Sequence, residues 1–255
     1  MLFLEVIDAV LIKAWPKGTI GLFFVGYCMQ MIVLKCEGVK KSFQEGTISS
    51  WILRGISLSF RKGGTYAITG VSGTGKSTFI HLLAGLDIPT AGTISFNNRS
   101  LNTMTAQEHE HFLQKDVGLL FQLPYLIKEL SVIENILLPA RIAGTSESEA
   151  YESALQLLDY VGLSDKKDAR PASLSGGQQA RIALARALIN KPSFLLADEP
   201  TGNLDEQMGR EITALLISLQ KKWGMGLIIS THDRYVADAM EFRYRLHDGL
   251  LESEN

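Results

Sequence analysis

Hydrophobic positions in this chain follow a period of two in some stretches and a period of 3.6 in others. Residues 51–60 alternate, with Ile56, Leu58 and Phe60 on one side, and are predicted to form a strand. Further strands are predicted at 32–36, 65–69, 93–96, 117–121, 194–197 and 227–230, and helices at 78–84, 175–189 and 207–222. Strands that alternate with helices predict an α/β fold with a parallel sheet covered on both faces.

The period is helical through most of the stretch from about 123 to 173. Within it, Ser131-x-x-Glu134 and Ser146-x-x-Glu149 have the spacing of a capping box, which is typical of helix N-termini. We therefore expect a mostly helical insert between two parts of the chain that carry the strands. No internal repeat is evident, so a single copy of this strand-and-helix unit is expected.

Residues 1–30 form an N-terminal extension of different character. Two apolar runs are separated by a polar break, and Glu5 and Asp8 interrupt the first run. The second run is shorter than the roughly 20 apolar residues that a membrane-spanning helix needs. An interfacial anchor is one interpretation. The acidic residues favour another, in which the start codon is assigned too early and translation begins at Met29 or Met31.

The stretch Gly70–Thr78 matches the pattern G-x-x-x-x-G-K-[ST] and lies between a predicted strand and a predicted helix. Its glycines, which allow backbone N–H groups to curl around phosphate oxygens, are Gly70, Gly73 and Gly75. Lys76 can reach the β- and γ-phosphates, and the Ser77 hydroxyl can ligate Mg²⁺. A chance match in a glycine-rich turn is the alternative, but the flanking elements and Thr78 argue against it.

Two acidic residues, Asp198 and Glu199, follow the predicted strand at 194–197. Carboxylates at the carboxyl end of a parallel strand lie in the ligand crevice of an open sheet. Asp198 is a candidate Mg²⁺ ligand, and Glu199 is a candidate to orient or deprotonate an attacking water. Any strand can end in polar residues, so this assignment depends on the lysine-bearing loop.

Composition narrows the range of partners and ligands. The 255 residues are 46% hydrophobic and carry a net charge of −2, so a sizeable core is expected and nucleic acid is not. Cys28 and Cys36 are too few for a disulfide framework and are expected to be reduced thiols. His109 and His111 lie in a polar helical stretch without further ligands, which favours an exposed helix face over a metal pair.

Residues 174–178 read Leu-Ser-Gly-Gly-Gln and place a second glycine-bearing helix start in the chain. Ser175 alone could be an ordinary N-cap. Together with the lysine-bearing loop, however, this stretch resembles the signature of ATP-binding-cassette (ABC) ATPases. The resemblance implies that Ser175, Gly177 and Gln178 contact the γ-phosphate of a nucleotide bound to another subunit.

Other positions fit the same family. Gln122 is similar to its Q-loop glutamine, which contacts Mg²⁺ or water and senses the transporter, and His232 is similar to its switch histidine at the γ-phosphate. Residues 202–205, Gly-Asn-Leu-Asp, resemble the D-loop, which communicates between the two subunits of a dimer, and Asp205 ends this stretch. Phe43 stands where the family stacks an aromatic residue, usually tyrosine, on adenine, and phenylalanine keeps the stacking face.

The resemblance extends from about residue 32 to the end and implies an ATPase domain over 31–255. It implies a P-loop (RecA-like) core, an antiparallel β subdomain and an inserted α-helical subdomain at about 123–173. The implied activity is ATP hydrolysis with Mg²⁺ in a dimer that closes on ATP, and the two subunits are expected to be identical. The implied partner is a separate transmembrane permease, so the chain is expected at the cytoplasmic face of the inner membrane.

Three stretches, 81–92, 134–139 and 197–205, look like those of lipoprotein-releasing (Lol-type) ATPases and their macrolide-exporter relatives. The sequence ends soon after Gly249, which favours a stand-alone subunit over a fused permease. Lipoprotein release is therefore the leading hypothesis. A regulatory ATPase of the cell-division type and a macrolide or peptide exporter subunit stay as alternatives. A soluble ATPase acting on ribosomes or DNA ranks last, because such proteins usually carry two cassettes or long inserts.

Overall fold

The computed structural model describes residues 32–45 and 48–254, so both interpretations of the N-terminal extension lie outside the described residues. The strands are β1 (Val33–Glu45), β2 (Ile48–Arg61), β3 (Thr65–Thr69), β4 (Ala91–Phe96), β5 (Arg99–Ser100), β6 (Val117–Phe121), β7 (Phe194–Asp198), β8 (Gly226–Thr231), β9 (Phe242–His247) and β10 (Leu250–Ser253). The α-helices are α1 (Lys76–Leu83), α2 (Ala106–His111), α3 (Val132–Ile142), α4 (Glu147–Tyr160), α5 (Gly176–Leu188), α6 (Glu206–Trp223) and α7 (Arg234–Asp238). A π-helical turn, Phe112–Asp116, continues α2.

The strands form two sheets. An antiparallel sheet has the order β2-β1-β4-β5, and a second sheet has the order β10-β9-β3-β8-β7-β6. Strands β9, β3, β8, β7 and β6 of the second sheet are parallel, and β10 pairs antiparallel with β9. The predicted α/β class is therefore confirmed, with a mostly parallel core sheet and a separate antiparallel sheet.

The buried strands were predicted well and the half-exposed strands were not. The bounds of β3 and β6 agree with prediction, whereas β1 extends nine residues past the predicted end at Cys36. The extension, EGVKKSFQE, is largely polar, and it is a strand because β2 and β4 pair with it across register shifts. Strands β9 and β10 were missed because charged residues such as Arg243 and Arg245 interrupt their apolar pattern.

Both predicted helix starts in the 123–173 stretch are present, but only one capping box is complete. The Ser131 N–H donates to a Glu134 carboxylate oxygen at 2.7 Å, and the Glu134 N–H donates to the Ser131 hydroxyl at 3.4 Å. The Ser131 N–H and the Ser131 hydroxyl both donate to the Glu134 carboxylate, at 2.7 Å each, and hold the pKa of Glu134 below its usual value. At α4, Ser146 accepts from the Glu149 N–H, and the reciprocal bond is not among the described contacts.

Alternate residues of the central strands enter two different cores. Leu195 and Ala197 of β7 pack with α3, α4, α5 and α6, whereas Phe194 and Leu196 pack with α1 and the antiparallel sheet. This alternation shows that both faces of the parallel sheet are covered. The second core also contains Cys36, and burial raises the pKa of its thiol.

Candidate functional residues follow the carboxyl ends of neighbouring parallel strands. The lysine-bearing loop follows β3, Gln122 follows β6, Glu199 follows β7, and His232 follows β8. Since β3, β8, β7 and β6 are adjacent in that order, these segments meet at one edge of the sheet. Among the helices of the described residues, none is long and apolar enough to cross a membrane.

Candidate nucleotide-binding site

A cleft of about 640 Å³ lies at this edge of the sheet. It brings together predicted residues from five separate stretches of sequence, namely Phe43, Gly73, Gly75, Lys76, Ser77, Thr78, Gln122, Glu199 and His232. Gly70 and Asp198 lie directly beside it, through contacts with Lys76 and Ser77. The geometry therefore places the loop predicted to bind phosphate opposite the predicted catalytic side chains.

The loop conformation depends on close packing against the antiparallel sheet. Gly75 has φ of 101° and forms the N-cap of α1. A Cβ atom at Gly75 would lie 2.5 Å from Cγ2 of Ile52 in β2. Glycine is therefore required here both by the backbone angle and by contact with the neighbouring sheet.

Lys76 is held inside the loop, with 5% of its surface exposed. Its Nζ donates to the carbonyl oxygens of Gly70 at 2.9 Å and Val71 at 3.2 Å. The same atom lies 3.1 Å from Oε1 of Glu199. These contacts fix the position of the ammonium group at the cleft.

Asp198 accepts two hydroxyl hydrogen bonds on one oxygen, Oδ1. The Ser77 hydroxyl donates at 3.0 Å and the Ser230 hydroxyl at 2.5 Å. A hydroxyl and a carboxylate in contact, beside the Gln122 amide in the same cleft, offer the oxygen ligands that Mg²⁺ prefers. Ser230 was not predicted as a site residue, although its position two residues before His232 in a buried strand was a usable signal.

Glu199 adopts a left-handed backbone conformation, with φ of 49°. Its N–H donates to the Ser230 carbonyl at 3.0 Å, which holds the turn in place. Its carboxylate bridges Lys76 and His232, whose Nδ1 lies 2.6 Å from Oε2. Backbone strain of this kind at a residue fixed on several sides is common at functional sites.

Gln122 is paired with Asn203 of the predicted D-loop. The Gln122 side-chain amide donates to the Asn203 side-chain carbonyl at 3.2 Å, and the Asn203 amide donates to the Gln122 backbone carbonyl at 3.3 Å. Asn203 was not predicted as a site residue. The pair joins the segment after β6 to the segment that precedes α6.

Phe43 lines the cleft, and its side chain is exposed. The Nζ of Lys41 lies 5.1 Å from the centroid of the Phe43 ring, in a cation–π arrangement. Lys41 also bonds Asp87 at 2.6 Å and the Ile88 carbonyl at 2.8 Å. Burial opposes ionisation of Asp87, but the bonds from Lys41 and the Ile88 N–H outweigh it and lower the pKa of this carboxyl group.

The predicted signature residues do not line the cleft. Ser175 and Gln178 form a complete capping box at α5, with bonds of 3.0 and 3.3 Å between each backbone N–H and the other side chain. A Cβ atom at Gly177 would lie 2.4 Å from the sulfur of Met208 in α6. Asp205 caps α6 by accepting from the Met208 N–H at 2.9 Å. The signature helix is therefore in direct contact with α6, the helix that Asp205 of the predicted D-loop caps.

The described residues contain no group of three or more His, Cys, Asp or Glu side chains that could hold a metal ion. His109 instead lies with Nε2 at 2.9 Å from the Gly85 carbonyl, and His111 is exposed. The predicted exposed face therefore holds for His111, whereas His109 is half-buried against the turn that follows α1. A site built from Ser77, Asp198 and Gln122 contains a single carboxylate and does not fall in such a group.

A lysine-bearing loop that follows β3 and an acidic pair at the carboxyl end of β7, both at the same edge of the parallel sheet, define a P-loop nucleoside triphosphatase. A model of the ABC transporter family matches residues 53–202. The chain therefore belongs to the ABC transporter family and is an ATP-hydrolysing cassette of it.

Two kinds of relative support this assignment. The lipoprotein-releasing system ATP-binding protein LolD of Legionella pneumophila (strain Lens) is 39% identical over 223 residues, which cover 88% of this chain and 98% of that protein. LolD of Nitratidesulfovibrio vulgaris is 41% identical over 221 residues, covering 87% and 95%. The dimeric post-hydrolysis structure of the ATP-binding cassette MJ0796, bound to ADP and Pi, superposes with a TM-score of 0.80 at 34% identity, covering 87% of this chain and 98% of that chain.

Proposed function

We propose that this chain is the ATPase subunit of a complex that releases lipoproteins from the inner membrane. The observation that carries the proposal is a sequence identity of 38–41% to LolD proteins over 93–99% of their length. Within the chain, residues 31–255 form the ATPase domain, and 123–173 form its helical subdomain. ATP-driven closure of the dimer is coupled to a separate transmembrane permease at the cytoplasmic face of the membrane.

Each binding residue has a contact that suits its role. Lys76 binds the β- and γ-phosphates, and Phe43 stacks on the adenine. Ser77 and Asp198, with Gln122, would hold Mg²⁺, which would neutralise phosphate charge. The hydrogen bond between Ser77 and Asp198 supports this assignment, because it places two oxygen ligands of suitable hardness side by side.

Glu199 acts on the attacking water, and His232 positions Glu199. The 2.6 Å contact between His232 Nδ1 and the Glu199 carboxylate supports this division of roles. With Nδ1 engaged, Nε2 is the ring nitrogen available to a γ-phosphate oxygen. The carboxylate is thereby oriented before the nucleophile arrives, which favours general-base catalysis.

Two subunits close with each signature helix over the other subunit's nucleotide. This is supported by the position of Ser175, Gly177 and Gln178 outside the cleft that contains Lys76. It is also supported by the dimeric assembly of the similar cassette MJ0796. ATP then stabilises the closed dimer by mass action, and hydrolysis weakens it.

The permease docks in an apolar groove beside the helical subdomain. This groove has a volume of about 360 Å³, and its apolar lining includes Leu113, Val117, Leu119, Phe121, Leu138 and Ile142. Phe121 lines the groove, and the next residue, Gln122, lines the nucleotide cleft. A residue that contacts the permease is therefore directly followed in the chain by a residue that contacts the nucleotide, at the end of β6.

The test is reconstitution of the chain with the membrane protein encoded beside it, in vesicles that carry a lipidated substrate protein. Release of the lipoprotein into solution should require ATP and should stop with the Glu199→Gln variant. ATP hydrolysis by the complex without release of any lipidated protein would contradict lipoprotein release and favour the regulatory alternative. Absence of a membrane partner after purification in detergent would contradict the permease assignment.

A further inference from the structure

Arg186 of α5 holds the segment that follows Gln122. Its Nη1 donates to the Tyr125 carbonyl at 2.7 Å, and its Nη2 donates to the Pro124 carbonyl at 2.7 Å. These two consecutive carbonyls belong to a stretch without helix or strand, residues 122–130. A guanidinium fork is suited to such two-point contact, whereas a lysine ammonium is not.

Partial burial of the Arg186 guanidinium costs free energy. Arg186 is partly buried, and burial lowers the pKa of its guanidinium. Within the described part of the chain no carboxylate pairs with it, so backbone carbonyl dipoles alone compensate the charge. Tyr125 itself has φ of 45°, which is unfavourable for a tyrosine.

Arg186 connects three regions of the molecule. Together with Phe121 it lines the apolar groove, and the Phe121 ring contacts the Tyr125 ring edge-on at 5.7 Å. The helix that carries Arg186 begins at the signature, eleven residues earlier, which corresponds to about 16 Å of rigid helix. The segment that it grips begins at Gln122, in the nucleotide cleft.

The far end of the segment is anchored elsewhere. Asn135 of α3 accepts from the Ile127 N–H at 2.8 Å and donates to the Ile127 carbonyl at 3.1 Å. By contrast, Arg186 is the side chain that donates hydrogen bonds to the backbone carbonyls of residues 124 and 125. Movement of this part of the segment is therefore passed to α5 rather than to α3.

We propose that Arg186 is a positioning residue that couples the segment 122–126 to the signature end of α5. When the groove is occupied, displacement of Pro124 and Tyr125 pulls on the guanidinium and changes the tilt of α5. The Ser175–Gln178 turn then moves relative to the other subunit's nucleotide. The effect of an occupied groove on the signature turn rests on the proposed function. The link that Arg186 makes between residues 122–126 and α5 is a property of the isolated chain.

The coupling is tested without any partner by amide hydrogen exchange of the full-length Arg186→Lys variant. Lysine keeps the charge and loses the fork, so the amides of residues 122, 123, 125 and 126 and those in the first turn of α5, at 178–180, should both exchange about tenfold faster. Arg181→Lys is the matched control, because Arg181 lies on the same helix and donates to the Val161 carbonyl at 3.1 Å without touching 122–126. Faster exchange confined to 122–126, or the same pattern in the control, would overturn the proposal.

A second measurement addresses function in the assembled complex. Arg186→Lys should reduce the stimulation of ATPase activity by the permease about tenfold, with the KM for ATP and the activity of the isolated subunit unchanged within about twofold. A structural defect would instead lower both activities together with the Tm. If exchange rises in both regions of the variant but the permease does not stimulate the wild-type ATPase, the Arg186 coupling is supported and the permease assignment is wrong. Normal stimulation of the variant would show that Arg186 does not transmit groove occupancy.

Discussion

His232 Nδ1 lies 2.6 Å from the Glu199 carboxylate, and the other oxygen of that carboxylate lies 3.1 Å from the Lys76 ammonium. The predicted base, switch histidine and phosphate-binding lysine thus form one chain of contacts across the cleft. Glu199 stands at its centre, with 14% of its side chain exposed and its backbone N–H fixed by Ser230. Changes at Glu199 should therefore affect hydrolysis more than binding.

Glu199→Gln should retain ATP binding and lose nearly all hydrolysis. Glutamine keeps the shape of the side chain but cannot accept the proton of the attacking water, and general bases typically contribute about 10²- to 10⁴-fold. Because ATP then persists, the variant should accumulate as a dimer with ATP and Mg²⁺, as measured by sedimentation. A variant that binds ATP and stays monomeric would contradict the shared-site arrangement.

Ser230→Ala should weaken the apparent affinity of the enzyme for Mg²⁺. The hydroxyl donates to the same Asp198 oxygen as Ser77, and hydrogen bonds to charged groups are worth about 1.5–3 kcal/mol. We expect the Mg²⁺ concentration for half-maximal activity to rise about tenfold or more. Ser218→Ala is the control, because the Ser218 hydroxyl bonds the Leu215 carbonyl on α6 and is remote from the cleft. An unchanged Mg²⁺ titration in Ser230→Ala would exclude this role.

Gly177→Ala should destabilise the protein through Met208, and this effect should disappear in a Met208→Ala background. An added Cβ would lie 2.4 Å from the Met208 sulfur, and overpacking typically costs about 1–3 kcal/mol. Without Met208, alanine should be neutral or stabilising, because it suits a helix better than glycine. Melting temperatures of the four proteins give the answer.

Gly176→Ala is the control for that cycle, since nothing lies within 4 Å of a Cβ there. It should have the same small effect on melting temperature in both backgrounds. If Gly177→Ala is equally destabilising with and without Met208, the contact between α5 and α6 is not what requires glycine. If stability is restored but hydrolysis is not, the glycine is also needed at the other subunit's nucleotide.

Local sequence patterns were sufficient for the parts of the site built from contiguous residues. The Ser175 cap depends on a partner three positions away, so its geometry was predictable. The lysine-bearing loop was recognisable from its contiguous pattern, although Gly75 also packs against Ile52 of the antiparallel sheet. Ser230, Asn203 and Arg186 contact residues 32, 81 and about 60 positions away, and their own residue types carry no pattern. Such contacts arise from the order of strands in the sheet, which periodicity does not specify.

Asp116→Asn should stabilise the protein at neutral pH and have little effect in acid. Burial raises the pKa of Asp116 more than attraction to His111 and the bond from Ser193 lower it. A carboxyl group with a raised pKa in the folded state contributes stability when protonated, below about pH 4, and loses that contribution as pH rises through the folded pKa. Asparagine can still accept from Ser193 and carries no charge.

The melting temperature of the Asp116→Asn variant should therefore exceed the wild-type value at pH 7–8 and converge with it near pH 4. Glu152→Gln, on the exposed face of α4, is the control and should not raise the melting temperature at pH 7–8. Equal melting temperatures at pH 7–8 would show that the buried charge costs nothing.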